Sequence, residues 1–210
     1  MGRAKRHAWR RCDTASTGRR SRAIISAMTQ RKIVLAASIS LDGYIARPDG
    51  ALDFLQEAEG LDFAKFMARF DVCVMGRKTY EASIALGGEA MFKAGGAEYY
   101  VFSRTLPPGK RDYVTFVNEP IESFVERLRA QTGKDIWHMG GGEVVRAFLA
   151  LDLIDEVGIG VVPKLIGAGL PLFPAGFPER HFKLIEAKQY GPVMGLTYER
   201  VRDEKAEKRD

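Results

Sequence analysis

The chain has 210 residues, 46% of them hydrophobic and 28% charged, enough to bury one domain core. Its two cysteines, Cys12 and Cys73, can form neither a disulfide framework nor a zinc-type spacing, and its longest apolar runs are too short to span a bilayer. The net charge of +5 sits at the start: eight basic residues and one acid precede Met28, leaving 24 basic against 26 acidic residues in the rest, so no basic face for nucleic acid is expected.

Residues 1–28 form a basic leader that reads as a disordered arm, an organelle transit peptide or translated sequence upstream of a start at Met28. The last is favoured, because Thr29-Gln30-Arg31-Lys32 leads straight into a strand. Residues 203–210 are a charged tail expected to fray. The domain is expected over residues 29–202, in a reducing compartment, the cytoplasm.

Ile33–Ile39 is continuously apolar and β-branched, as in a strand buried on both faces. Ser40-Leu41-Asp42-Gly43 and Pro48-Asp49-Gly50 then break the chain. Leu61–Phe70 carries apolar residues at helical spacing, Asp71–Gly76 reads as a strand and Arg77–Leu86 as the next helix. Strands follow at Glu98–Ser103 and Tyr113–Val117, an amphipathic helix at Ile121–Ala130 and a strand at Asp135–Met139. Gly140–Gly142 opens a helix over Glu143–Leu151. Leu153–Val162, Phe182–Tyr190 and Leu196–Val201 complete the strands. Alternating helices and short apolar strands, closing on consecutive strands, predict a mostly parallel central sheet, helices on both faces and an antiparallel C-terminal strand.

Three strand endings carry chemistry. Met75-Gly76-Arg77-Lys78-Thr79-Tyr80-Glu81 joins a strand to a helix whose free N–H groups favour an anion, with Arg77, Lys78 and Thr79 adding charge and a hydroxyl. The plain alternative is a helix start with its basic residues in solvent. Tyr100-Val101-Phe102-Ser103-Arg104 ends a strand in a hydroxyl and a guanidinium. With Arg77 these would grip a ribose phosphate, whereas alone they read as a strand cap. Met139-Gly140-Gly141-Gly142-Glu143 lets the backbone approach a pyrophosphate without Cβ atoms in the way, or is simply a flexible turn. It is not the G-x-G-x-x-G fingerprint.

In this order and spacing the three segments resemble dihydrofolate reductases. Ser40–Gly43, and Leu153–Val162 with Pro163–Phe173, are similar to the reductase domain of bifunctional riboflavin-biosynthesis deaminase-reductases. The resemblance covers about Lys32–Val201 and implies a single dihydrofolate-reductase-like domain that binds NADPH. It places the adenosine 2′-phosphate on Arg77, Ser103 and Arg104, and the cofactor phosphates near Gly76, Lys78, Thr79 and Glu143. Gly140, Gly141 and Gly142 fall under the pyrophosphate, and Ala37, Ile45 and Ala46 near the nicotinamide. It also implies a cis peptide at Gly140–Gly141 and, in relatives, frequent homodimers. Asp62, with Glu59 next, is the nearest match to the carboxylate that helps protonate a pterin, although a helix N-terminal acid would suit the dipole equally.

The chain departs from both relatives. Ser83–Ala97 offers only Lys93 where folate enzymes carry an arginine for the glutamate tail. Tyr44 stands where the riboflavin enzymes have a lysine and Met139 where they have an acid, and their Asp-Pro motif after the second strand is missing. The function implied is hydride transfer from NADPH to a small heterocyclic or sugar-derived substrate, first of the 5-amino-6-(5-phosphoribosylamino)uracil type. Dihydrofolate reduction comes second, and a non-catalytic NADPH-binding module is the alternative from another class. His138 reads as a core histidine and Cys73 as an inert core thiol. No metal, nucleic-acid or membrane partner is expected.

Overall fold

A computed structural model describes residues 30–94 and 96–202. The leader and the charged tail, with the expectations attached to them, lie outside the described residues.

The strands are β1 (Ile33–Ser40), β2 (Tyr44–Ala46), β3 (Phe70–Gly76), β4 (Glu98–Phe102), β5 (Gly109–Arg111), β6 (Val114–Val117), β7 (Asp135–His138), β8 (Glu156–Val162), β9 (Leu170–Pro171), β10 (Phe182–Tyr190) and β11 (Val193–Arg200). The helices are α1 (Phe63–Met67), α2 (Arg77–Ala85), α3 (Glu89–Lys93), α4 (Ile121–Arg129) and α5 (Gly142–Ala150). Among the described residues nine strands form one sheet in the order β10-β11-β8-β1-β7-β3-β4-β6-β5. The six strands from β8 to β6 in that order are parallel; β11, β10 and β5 run antiparallel to their neighbours.

Alternation along the first part of β1 explains the unbroken apolar run Ile33–Ala37. Ile33 and Leu35 join the core under α4 and α5, with Phe124, Leu128, Val145 and Phe148, while Val34 joins the opposite core with Trp137, Phe70 and Phe92. Cys73 lies in that second core, and burial pushes its thiol up to about 12, which leaves it inert.

The expected helix over Leu61–Phe70 is shorter, Phe63–Met67. Phe70 is needed as the first buried residue of β3, and Arg69 turns away to bind Glu156 at 2.5 and 2.8 Å and Asp135 at 2.8 Å. The small elements β2, β5, β9 and α3 carry too few residues to show a period, and β2 and β9 exist only through pairing with each other.

Ion pairs gather at the N-terminal edge of the parallel strands: Arg31 with Asp71, Arg69 with Asp135 and Glu156, and Arg129 with Asp155 at 2.5 Å. The C-terminal edge is left open. Among the described residues no helix is long and apolar enough to cross a membrane, and no group of His, Cys, Asp and Glu could hold a metal.

Candidate active site

The strand order reverses between β1 and β7. β1 leads through α1 to β3 on one face, and β7 leads through α5 to β8 on the other, so a crevice opens beyond their carboxyl ends. The β1–β7 pairing stops at Leu35–His138, whereas β1 stays paired with β8 to Ser40. Beyond the last pair the Ala36 carbonyl accepts from the Trp137 indole at 3.1 Å, and Ser38 is exposed although it lies in a central strand. Phe63 of α1, 47% exposed, stands edge-on to Trp137 on this side.

Two helix N-termini converge beside the crevice. α2 is capped by Gly76 and α5 by Gly141, and neither cap is closed by a side chain, so backbone N–H groups of both first turns remain for an anion. The helix starts touch through their glycines. A Cβ on Gly141 would lie 2.7 Å from the Thr79 hydroxyl, and one on Gly76 would lie 3.0 Å from the Val144 side chain. Gly142 is squeezed from the other side, where a Cβ would come within 2.5 Å of the Pro171 carbonyl.

The peptide bonds among the described residues are trans, Gly140–Gly141 included, which corrects the expected cis bond. Gly140 at φ +102° and Gly141 at φ +89° turn the chain by themselves, a path open to glycine because it has no Cβ.

A groove of about 560 Å³ runs from these caps along the carboxyl ends of β3, β4 and β6. It unites the three segments singled out in the sequence: Gly76, Arg77, Lys78 and Thr79; Ser103 and Arg104; Gly141 and Glu143. Basic side chains outnumber acidic ones along it, with Arg77, Lys78, Arg104 and Arg146 against Glu119 and Glu143. Arg77 is held by Glu81 at 2.6 Å, Arg146 by Glu143 at 2.5 Å, and Glu119 is tied to Arg127 at 2.5 Å.

Ser103 is buried, and its Oγ accepts from the amides of Leu106 at 3.0 Å and Thr105 at 3.3 Å. The hydroxyl therefore shapes the turn after β4 and keeps one proton to donate. The stretch Val117–Ile121 and Arg146 also line the groove and went unnoticed in the sequence. The signal was available, since β6 ends at the same sheet edge as β4 and Pro120 opens the next helix.

Ala37 and Ile45 do not line the groove; they pack, partly buried, against the core on the α5 side, and Ala46 is buried. Gly140 and Gly142 flank Gly141 and do not line the groove. Asp62 is exposed and serves as N-cap of α1, its carboxylate accepting from the Lys65 amide at 2.9 Å. Asp62→Ala is expected to lower stability by about 1 kcal/mol through the lost cap, and Asp62→Asn to restore it. Thermal melts and steady-state kinetics on the two variants check this; a fall in kcat in Asp62→Asn at full stability would give the carboxyl a part in proton transfer.

Ser40–Gly43 and Pro163–Phe173 form one unit. Asp42 accepts from the Ser40 hydroxyl at 2.6 Å and from the Gly167 and Ile166 amides at 2.7 and 3.1 Å, contacts that hold its carboxyl below the usual range. The Leu41 amide donates to the Lys164 carbonyl at 2.8 Å, and β2 pairs with β9.

A mostly parallel sheet with an antiparallel end, and a groove at its carboxyl edge, define a domain of the dihydrofolate-reductase-like fold. Dihydrofolate reductase of Enterococcus faecalis superposes with a TM-score of 0.58 at 15% identity, over 82% of this chain and 98% of that one. The chain belongs to the family of the RibD C-terminal domain, whose model matches residues 31–196. It is 37% identical over 175 residues to the uncharacterized protein YwjB of Bacillus subtilis (strain 168), covering 82% of this chain and 99% of that one. A Shewanella sp. PV-4 structure that carries a provisional riboflavin-biosynthesis name matches with a TM-score of 0.70 at 29% identity, over 81% and 99% of the two chains.

Proposed function

We propose that this protein is an NADPH-dependent reductase that transfers hydride to a small planar heterocycle or its sugar-derived adduct, of the aminouracil type handled in riboflavin biosynthesis. The observation that carries the reading is the pair of glycine-capped helix N-termini meeting under a groove rich in Arg and Lys. Such a cradle suits a pyrophosphate: its amides point at the anion, and Gly141 leaves the space beside Thr79 that a Cβ would fill.

In this reading α2 and α5 hold the pyrophosphate, and Arg77 and Arg104 take the 2′-phosphate. The crevice floored by Ala36 and Ser38 receives the substrate against Phe63 and Trp137. When bound, the cofactor supplies the hydride; the protein orients it and keeps the crevice dry. Family membership supports a reductase, and the absence of an arginine between Ser83 and Ala97 weighs against folate.

The test is NADPH oxidation over a panel of aminouracils, their ribosyl and phosphoribosyl adducts, and pteridines, run beside a binding titration. Turnover of an aminouracil-type compound is expected. Tight binding without turnover on any of them would favour a nucleotide-binding module, a reading that gains from the capping role of Asp62.

A further inference from the structure

We infer that His138 is a positioning residue for the nucleotide cradle: its imidazole supplies the acceptor that fixes Gly140 and so aims the N-terminus of α5 into the groove. The inference rests on the nucleotide reading of that groove.

His138 ends β7 and is fully buried, its ring edge-on to Phe148 with centroids 4.7 Å apart. Nδ1 accepts from the Gly140 amide at 3.0 Å, which leaves the neutral ring with its proton on Nε2. Among the described residues Nε2 has no hydrogen-bond partner. An apolar side chain would fill the same space without stranding that nitrogen, so packing alone does not account for an imidazole here.

The other nitrogen does account for it. The Met139 amide makes the last ladder bond, to the Val74 carbonyl at 2.9 Å. The buried Gly140 amide, one residue on, faces β1 instead, as Ile136 does; there the β1–β7 ladder has ended at Leu35–His138 and the Ala36 carbonyl accepts from the Trp137 indole, so the amide finds no strand partner. His138 supplies one. Holding Gly140 at φ +102° sets the direction in which Gly141 enters α5, and Gly141 is the cap that faces the groove.

Two substitutions separate the acceptor from the packing. His138→Phe keeps an aromatic ring against Phe148 and removes the acceptor. His138→Asn loses the ring but places Oδ1 where Nδ1 was, so it can still accept from the amide two residues on, as in an Asx turn.

NADPH titration is expected to give a Kd about tenfold weaker in His138→Phe, the worth of one buried hydrogen bond left unmade. In His138→Asn it should stay within about threefold of the wild type. Wild-type affinity in His138→Phe would overturn the inference. Amide hydrogen exchange in the ligand-free protein decides the turn without nucleotide. The Gly140 amide should exchange slowly in the wild type and His138→Asn and fast in His138→Phe; fast exchange in the wild type also overturns it. A wild type that binds no nicotinamide nucleotide would overturn the reading of the groove, and with it the binding role of His138, while the exchange result still stands or falls alone.

Discussion

NADPH is expected to bind about a hundredfold more tightly than NADH, and the double variant Arg77→Ala/Arg104→Ala to bring the two nucleotides within a few-fold of each other. A charge-assisted hydrogen bond to phosphate contributes about 1.5–3 kcal/mol, so two guanidinium contacts account for a difference of that size. The discrimination should fall on the 2′-phosphate alone, because Lys78, Arg146 and the two helix caps stay in place for the pyrophosphate that both nucleotides share. The fold should be indifferent to the change. Arg77 makes an exposed i,i+4 pair with Glu81, worth only a few tenths of a kcal/mol, and Arg104 is exposed. Calorimetric titration of both nucleotides, with a thermal melt of each variant, is the measurement. Equal affinity of the wild-type protein for NADPH and NADH would remove the phosphate assignment.

Acid is expected to unfold the protein through His138. Burial pushes its pKa down from 6.5 to about 4, with only backbone groups opposing the shift. The unfolded chain therefore binds a proton between these values that the native state refuses, and stability falls as pH drops from 6.5 to 4. Below pH 4 the accumulated loss is about 3 kcal/mol, a large share of a domain's total stability. His138→Phe has no such proton to take up. Subtracting its urea-unfolding free energies from those of the wild type across this range removes the carboxylate contribution common to both, and the remaining difference should slope with pH. Parallel curves would show that the imidazole titrates normally.

The fold was legible because its signals are local. Ile33–Ala37 is apolar throughout since both its faces are covered, and helices alternate with strands because parallel neighbours need crossovers. The groove residues Gly76–Thr79, Ser103, Arg104, Gly141 and Glu143 were legible for a related reason. Each ends a parallel strand, and parallel strands end at one edge. Glycine's freedom from a Cβ marked the turn, and Arg and Lys marked the basic side of the groove.

Other features were settled only when distant segments met. The sequence offers no measure of the 2.7 Å between Thr79 and a Cβ on Gly141, nor of the bond that makes Asp42 the tie between Ser40 and Gly167. It left Asp62 open between proton donor and helix acid, and the structure makes the carboxylate the N-cap of α1. It read His138 as an ordinary core residue, because a histidine's neighbours decide which nitrogen is met and which is stranded. The bend at Gly140–Gly141 was likewise beyond local pattern. Several backbone paths reverse a glycine pair, and the choice of trans bonds with two positive φ angles follows from where β7 must stop and α5 must begin. Spacing and residue type determine which groups arrive at the carboxyl edge of this sheet. Their distances, partners and protonation depend on contacts between residues far apart in the chain, and those exist only in the folded state.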